Sequence, residues 1–252
     1  REVLRPYDAM TVGEGYGIPP EEALLYVSRE RQELQTFFQF DHTNLYRQPD
    51  DFYEPRDWSL PELKRVVQTW DDTLAEDGWN AWFLGNHDLP RMVSAFGEDG
   101  RFRRRSAKLL LTFLLTMRGT PYIYQGDEIG MTNAPFETLD DFQDVSTHGD
   151  VHEKIDAGRD LDTLLENHRR LSRDNARTPM QWDATEHAGF TDGEPWLPVN
   201  PNHTAINAEA ARADEDSVYH TLRRLIRLRR DHPVFVYGTY TDLAPNHEQI
   251  WA

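Results

Sequence analysis

Short apolar or β-prone runs alternate with longer helical stretches along the first half of the chain. The runs occupy residues 9–13, 36–40, 81–85 and 121–124. Apolar runs of this length that are separated by helices are typical of buried parallel strands. The pattern therefore predicts an α/β fold with four parallel strands.

The stretches between the runs carry helix signals. Ser59, Pro61 and Glu62 predict a helix that starts at Leu60 and runs to about residue 77, before a glycine. Two further helices are predicted at residues 101–117 and 217–230 from apolar residues at helical spacing: Leu109, Phe113, Leu114 and Met117 in the first, and Leu222, Leu225, Ile226 and Leu228 in the second.

Each apolar run ends in polar or ionisable residues. Glu14 ends the first run, Asp41 the second, Asp88 the third and Asp127 the fourth. In a (β/α)₈ barrel, the active-site groups project from the carboxyl ends of the strands. The sequence thus predicts a partial (β/α)₈ TIM barrel, and four strands are half of one.

The segment 131–207 reads as an insertion after the last predicted strand. It is rich in Asp, His, Asn and Pro and contains helical patterns near residues 139–145 and 161–170. Long irregular segments after a barrel strand usually form functional walls or lids. Residues 235–240 and 249–251 predict the beginning of a β-rich C-terminal domain.

Charge and composition exclude some functions. The formal net charge is -17, from 44 acidic and 27 basic residues, which argues against nucleic-acid binding. There is no cysteine, so disulfides and thiolate metal sites are excluded. No apolar run reaches the roughly 18 residues of a membrane span. We expect a cytoplasmic location.

Arginine carries almost all of the positive charge. Lys64, Lys108 and Lys154 are the lysines of the chain. An acidic, lysine-poor protein suits concentrated salt, where self-repulsion is screened. GC-rich coding would also favour arginine, so both explanations stay open.

Glu14 and Asp88 are the candidate catalytic residues. Glycoside hydrolysis needs one carboxyl group that protonates the leaving oxygen and another that stabilises an oxocarbenium-like centre. Two carboxylates at strand ends of one barrel meet that need. Taken singly, either residue could instead cap a helix or form an ion pair.

Four motifs resemble the α-amylase family, glycoside hydrolase family 13. TVGE at 11–14 and FLGNHDLPR at 83–91 look like two signature regions, and GTPYIYQGDEIGM at 119–131 is similar to the segment of the eighth strand. SRDNARTPMQW at 172–182 resembles the oligo-1,6-glucosidase and α-glucosidase branch. The resemblance implies strands 5 to 8 of the catalytic barrel and requires no cofactor; no metal site is read from the sequence.

The resemblance also implies roles for particular residues. Glu14 would be the general acid/base, and Asp88 would bind ring hydroxyls and stabilise the transition state. His87 would bind sugar hydroxyls, although a buried structural histidine is the alternative. Arg173 or Arg177 would reach a glucose hydroxyl or an aspartate, the other holding the loop together.

Other strand-end residues have weaker assignments. Asp41 and His42 either line the aglycone side or are structural. We expect Asp127 and Glu128 to accept hydrogen bonds from backbone N–H groups of their own loop.

Three more residues belong near the site. Arg91 is expected to form an ion pair behind it. Phe38 and Tyr16 either wall the pocket or belong to the core.

The nucleophile that the family implies is missing. It would be an aspartate two residues after an arginine in a Gly-Phe-Arg-x-Asp-type segment, and no such segment precedes Glu14. We therefore expect a piece of a longer gene product, rather than a split gene, that is inactive alone. Residues 1–240 would be the barrel half and 241–252 the truncated start of a β-sandwich domain.

Three functions are compatible with these motifs. The first is a retaining α-glucosidase acting on maltose-type or isomaltose-type oligosaccharides. The second is a sucrose isomerase or another glucosyl-transferring relative. The third is a non-catalytic relative like the heavy chains of amino-acid transporters, which tend to lose the catalytic carboxylates.

Overall fold

The computed structural model describes residues 5–31 and 33–252, with six strands in this part of the chain. The strands are β1 (Val12–Glu14), β2 (Thr36–Phe38), β3 (Arg47–Gln48), β4 (Asp51–Pro55), β5 (Asn80–Trp82) and β6 (Thr120–Pro121). The α-helices are α1 (Leu24–Val27), α2 (Leu60–Thr73), α3 (Met92–Phe96), α4 (Arg103–Thr116), α5 (Val145–Asp156), α6 (Leu161–Leu171), α7 (Asp174–Arg177), α8 (Ala208–Ala213), α9 (Val218–Asp231) and α10 (Val234–Tyr237). Short 3₁₀ helices occupy Arg5–Tyr7, Pro20–Glu22, Asp127–Ile129, Leu139–Asp141, Glu186–Gly189 and Pro201–Thr204.

The central sheet has four parallel strands in the order β1-β2-β5-β6. Strands that follow one another in the βα series are therefore neighbours in space, and the predicted parallel α/β arrangement is confirmed. The sheet is open, because β1 and β6 lie at its two edges and no barrel is closed within the described residues. Because the strands are parallel, their carboxyl ends lie at the same end of the sheet. Glu14 and the loop that follows β5 are therefore at that end.

The strands stop before the predicted runs do. β2 ends at Phe38, β5 at Trp82 and β6 at Pro121. The remaining residues of each run form the loops at the carboxyl ends of the strands. β3 and β4 form a separate antiparallel hairpin within the loop that leads from β2 to α2.

The predicted helices are present with small differences. α2 starts as predicted, with the Glu62 carboxylate accepting a hydrogen bond from the Ser59 N–H at 2.7 Å. It ends at Thr73, because the backbone leaves helical geometry at Leu74. The helix is therefore about one turn shorter than the predicted end at residue 77. In α4, the prediction that Leu109 belongs to the apolar face is wrong, since Leu109 is 69% exposed. The buried face of α4 consists of Leu114, as predicted, and of Ala107, Leu111 and Leu115.

The insertion folds on a small core of its own. This core contains the buried side chains of Ala134, Phe136, Phe142, Leu165 and Leu197. The pattern predicted near residues 139–145 corresponds to the Leu139–Asp141 3₁₀ helix, and the one predicted near residues 161–170 corresponds to α6. α5 was not predicted. Because α6 leads directly into residues 172–177, the insertion fixes the position of that segment.

The chain after α9 is not β-rich in this structure. Residues 234–237 are helical, and residues 238–252, which are all described, form no strand. The segment packs back on α2, where the Lys64 ammonium donates hydrogen bonds to the carbonyl oxygens of Ala244 and Ile250 at 2.5 and 2.6 Å. Its assignment to a separate domain stays a prediction. Among the described residues, no helix is both long and apolar enough to cross a membrane.

Candidate active site

Glu14 is the last residue of β1 and borders two cavities. The first, which we call the strand-end cavity, has a volume of about 340 Å³ and is lined by Glu14, Phe38, Phe83, His87, Tyr122 and Tyr124, among others. The second, the hairpin cavity, has a volume of about 360 Å³ and is lined by Glu14, Tyr16, Arg47, Phe52, Asp88 and Arg173, among others. Glu14 is exposed on this shared border, so its carboxyl group can meet a ligand.

Asp88 lies in the loop after β5 and is held by several groups. Its backbone N–H donates to the Asn86 side-chain oxygen at 2.8 Å. Its Oδ1 accepts hydrogen bonds from Arg177 Nη2 at 2.6 Å and Arg173 Nη1 at 3.4 Å. His87 Nε2 lies 3.2 Å from Oδ2. The carboxylate is therefore fixed in orientation while one of its faces borders the hairpin cavity.

Both candidate arginines contact the same carboxylate. Arg177 also donates from Nε to the carbonyl oxygen of His87 at 2.9 Å, which ties it to the loop after β5. Arg173 makes its shortest contacts with Asp144, at 2.7 and 2.6 Å, and also donates to the Ser146 hydroxyl at 2.8 Å. The sequence left open which arginine reaches an aspartate, and in the structure both reach Asp88.

Arg173 and Asp144 form an ion pair that shifts the pKa of each group. The hydrogen bonds to Asp144 raise the pKa of the Arg173 guanidinium. Burial alone would raise the pKa of Asp144, but the hydrogen bonds from Arg173 and from the Ser146 N–H outweigh it, and the pKa is lowered. Asp144 is thus a buried, ionised partner that orients Arg173.

Asp144 was missed by the sequence reasoning. It is the N-cap of α5, and its own backbone N–H donates to the Asp174 carboxylate at 2.8 Å. The N-cap signal before α5 was readable, but its contact with Arg173 depends on how the insertion folds back. Arg47, which lines the hairpin cavity, was missed as well.

His87 is not a buried structural histidine. Its side chain is 67% exposed and it lines the strand-end cavity. Phe38 also lines that cavity and packs edge-on against Tyr122, with ring centroids 4.7 Å apart. Tyr16 is exposed and borders the hairpin cavity. These three side chains therefore face the site.

Asp41 and His42 are structural in their contacts. Burial lowers the pKa of His42 to about 4, so the ring is neutral near pH 7. Its Nε2 lies 2.7 Å from the Phe83 carbonyl oxygen and its Nδ1 lies 3.0 Å from the Gln39 amide nitrogen. Asp41 accepts a hydrogen bond from the Trp70 indole at 2.8 Å.

Asp127 and Glu128 accept backbone hydrogen bonds, as predicted. The donors are the N–H groups of Tyr124, at 3.1 Å, and of Gly126, at 2.7 Å. Burial raises the pKa of Asp127 to about 7, with the opposing charge of Arg91 lowering it less.

Arg91 differs from its prediction. The described residues give it no carboxylate within ion-pair distance; instead it donates to the carbonyl oxygens of Gln125 at 2.7 Å and Asn175 at 3.0 Å. Because Asn175 lies in α7, Arg91 joins the loop after β6 to the segment that carries both site arginines. The described residues also contain no group of three or more His, Asp or Glu residues arranged for a metal ion.

Comparison with known proteins finds a matching family model and several similar proteins. The family model described as "Alpha amylase, catalytic domain" matches residues 1–238. The chain is 50% identical over 241 residues to an oligo-1,6-glucosidase of Parageobacillus thermoglucosidasius, covering 95% of this chain and 43% of the relative. It is 46% identical over 252 residues to an oligo-1,6-glucosidase of Bacillus cereus, covering 100% of this chain and 45% of the relative.

A solved structure is similar over the same length. The isomaltulose synthase SmuA from Protaminobacter rubrum superimposes with a TM-score of 0.97 at 46% identity, covering 99% of this chain and 45% of that one. The chain thus spans less than half the length of the proteins that it matches.

Proposed function

The chain belongs to the α-amylase catalytic-domain family, and from this membership we propose that it is part of a retaining α-glucosidase of the oligo-1,6-glucosidase type. The observation that carries the proposal is the pair Glu14 and Asp88, which border one cavity at the carboxyl ends of parallel strands. The two relatives named above are oligo-1,6-glucosidases, which supports this substrate class. The substrates would be short maltose-type or isomaltose-type oligosaccharides, cleaved from the end.

Glu14 would act first as an acid and then as a base. As the bond between C1 and the leaving oxygen breaks, Glu14 donates its proton to that oxygen while a carboxylate nucleophile bonds to C1. Water then attacks C1, Glu14 accepts its proton and the nucleophile leaves. We propose that the nucleophile comes from a part of the protein outside these 252 residues.

Asp88 would bind glucosyl hydroxyls and stabilise the positive charge that develops at C1. Its fixed carboxylate suits this role, because a preorganised charge costs little reorganisation during the reaction. His87 would bind hydroxyl groups of the same ring. Arg173 and Arg177 would act through Asp88 by holding it in place.

A second candidate is glucosyl transfer within sucrose, as in an isomerase. The similarity to the isomaltulose synthase SmuA favours it, and the same catalytic groups would serve. Incubation of the full gene product with sucrose separates the two, since hydrolysis gives glucose and fructose whereas isomerisation gives a new disaccharide. A non-catalytic role is disfavoured, because Glu14, His87 and Asp88 are all present.

The domain organisation follows the same proposal. Residues 1–240 would be the second half of the barrel, including the insertion 131–207, and residues 241–252 the start of a C-terminal β-sandwich domain. The family match, which ends at residue 238, supports this boundary. The absence of cysteine is compatible with the proposed cytoplasmic location.

The test is hydrolysis of p-nitrophenyl α-glucoside at low and high KCl. The 252-residue chain is compared with the full gene product, and Glu14→Gln with the control Glu209→Gln in α8. We expect activity only in the full product, lost in Glu14→Gln and kept in the control. Activity of the 252-residue chain alone would contradict the external nucleophile, and full activity of Glu14→Gln would contradict the assigned acid.

A further inference from the structure

The β3–β4 hairpin and the insertion both line the hairpin cavity. The hairpin contributes Phe52 and Tyr53, and the insertion contributes Ser146 and Arg173. Arg173 is one of the two arginines that donate to Asp88. The walls of this cavity therefore come from segments that are far apart in the sequence, and their relative position depends on the contacts between them.

Ion pairs hold the hairpin on the insertion. The Lys154 ammonium of α5 lies 2.7 Å from the carboxylate of Asp51, at the start of β4. Arg159, which follows α5, lies 3.1 Å from Glu54. Because Lys154 and Asp51 are mostly buried, solvent screens their attraction less than that of an exposed pair. The hairpin is thus attached to the insertion at two points of β4.

Tyr53 lies between these two points and is buried, at 7% exposed. Its ring packs on the ring of His168 in α6, with centroids 4.4 Å apart. The His168 Nε2 in turn lies 2.9 Å from the carboxylate of Asp150 in α5. Packing on both helices of the insertion therefore fixes the direction in which the phenol hydroxyl of Tyr53 projects.

The Tyr53 hydroxyl meets the Ser146 hydroxyl beside Arg173. Burial raises the pKa of the Tyr53 phenol, whereas a side-chain hydrogen bond with Ser146 lowers it. The Ser146 Oγ also accepts a hydrogen bond from Arg173 Nη2 at 2.8 Å. One serine hydroxyl therefore joins the phenol of the hairpin to the guanidinium of the insertion.

These contacts fix the plane of the Arg173 guanidinium. Its Nε and Nη2 donate to the two carboxylate oxygens of Asp144 at 2.7 and 2.6 Å, and Nη2 has a second N–H for Ser146. Since a guanidinium is planar, the direction of Nη1 follows from that of the other two nitrogens. Nη1 is the atom that donates to Asp88, at 3.4 Å. A small rotation of the guanidinium would break so long a contact.

We propose that Tyr53 is a positioning residue for the proposed hydrolysis and acts on Asp88 through Ser146 and Arg173. Ser146 is exposed, so its hydroxyl could otherwise turn to water. Tyr53 holds that hydroxyl in the direction that Arg173 requires. The inference rests on the proposed glucosidase function and adds the hairpin to the segments that orient the carboxylate of Asp88.

The test is a double-mutant cycle in the full gene product. It measures kcat/KM for p-nitrophenyl α-glucoside in wild type, Tyr53→Phe, Ser146→Ala and the double variant. Phenylalanine keeps the ring on His168 and removes only the hydroxyl. We expect each single variant to lose about three- to tenfold, in line with the loss of one hydrogen bond. The double variant should lose no more than the larger single loss, because both substitutions break the same series of contacts.

Two further measurements separate positioning from contact with the substrate. Ser146→Thr keeps a hydroxyl and should restore most of the activity that Ser146→Ala loses. Asp88 is assigned to the glucosyl unit, so the loss in Tyr53→Phe should be the same for p-nitrophenyl α-glucoside and for isomaltose. A loss that depends on the leaving group would show that Tyr53 contacts the substrate directly, and it would overturn the proposal.

Tyr240→Phe is the control for the removal of a structural hydroxyl. The Tyr240 hydroxyl accepts a hydrogen bond from the Trp251 indole at 2.7 Å, in the C-terminal segment. Its loss should affect urea unfolding rather than kcat/KM. If Tyr53 only supported the fold, Tyr53→Phe would likewise leave kcat/KM of the folded protein unchanged, which would overturn the proposal.

The remaining outcomes are also decisive. Additive losses in the double variant would show that Tyr53 does not act through Ser146. Hydrolysis by wild type with no loss in Tyr53→Phe overturns this inference and leaves the proposed function in place. Absence of hydrolysis of both substrates by the wild-type gene product overturns the glucosidase function and this inference with it.

Discussion

Arg177 and Asp88 are joined by a 2.6 Å contact between Nη2 and Oδ1, although 89 positions separate them along the chain. The same arginine binds the carbonyl oxygen of the neighbouring His87. One guanidinium therefore fixes both the backbone and the carboxylate of the loop after β5. Its contribution depends on the planar fork of arginine, which a lysine ammonium does not reproduce.

Replacement of Arg177 by lysine should lower activity without removing the charge. We expect kcat/KM for p-nitrophenyl α-glucoside to fall by about tenfold or more, since Asp88 loses a directional donor that positions it. Steady-state kinetics of the full gene product measure this. Arg170→Lys, an exposed arginine at the end of α6, is the matched control and should match wild type. Unchanged kinetics in Arg177→Lys would show that Arg177 does not position Asp88.

Asp144→Asn should act on the site and on stability together. The amide keeps a hydrogen-bond acceptor but loses the charge that binds Arg173, so we expect kcat/KM to fall severalfold. The pKa of Asp144 is lowered in the folded protein. Its contribution to stability is thus present above the pKa of the unfolded carboxyl, about 4, and is lost as the pH falls through the folded value.

Urea unfolding of wild type and Asp144→Asn at pH 7 and near pH 3 tests whether the stabilisation by Asp144 is lost in acid. The variant should have the lower free energy of unfolding at pH 7, and the difference should shrink in acid. Asp162→Asn, an exposed carboxylate in the first turn of α6, is the control. A difference that grows as the pH falls would contradict the ionised pair.

Much of this site could be predicted from the sequence, because its signals are local. Glu14 ends β1, His87 and Asp88 lie in the loop that follows β5, and the start of α2 follows from Ser59 and Glu62. The contacts of Asp144 with Arg173 and of both arginines with Asp88 arise only when the insertion folds on its own core. No local pattern reports such a long-range packing.

The errors have physical causes of the same kind. Leu109 fits the apolar period of α4, but burial is decided by what packs on that helix, and α9 meets a different face. Residues 235–237 are β-prone in composition, yet a single helical turn forms there. Arg47 gave no signal, since an arginine between polar residues looks like surface until the hairpin buries it.

Asp127→Asn should change how stability depends on pH. Burial raises the pKa of Asp127 to about 7. A carboxyl whose folded pKa is raised contributes its full stability below the unfolded pKa, about 4, and loses it as the pH rises through the folded value. Wild type should therefore lose stability between about pH 4 and pH 7 relative to the variant.

The amide can still accept the hydrogen bond from the Tyr124 N–H, so the comparison isolates the charge. Urea unfolding at intervals from pH 4 to pH 8 measures the difference in free energy of unfolding. Glu153→Gln in α5 serves as a carboxylate control, because Glu153 is exposed. Parallel pH profiles for wild type and Asp127→Asn would show that Asp127 ionises at an ordinary pH.

The acidic surface leads to a prediction about salt. With 44 acidic and 27 basic residues, the folded chain concentrates negative charge that KCl screens, so the free energy of unfolding should rise with KCl. Ordinary screening should be nearly complete by about 0.5 M, since the Debye length is already only about 3 Å at 1 M. Adaptation to concentrated salt predicts a rise that continues into the molar range. Urea unfolding of the full gene product from low to about 3 M KCl distinguishes the two. A plateau would favour GC-rich coding as the reason for the scarce lysine, and a fall in stability would contradict both forms of the prediction.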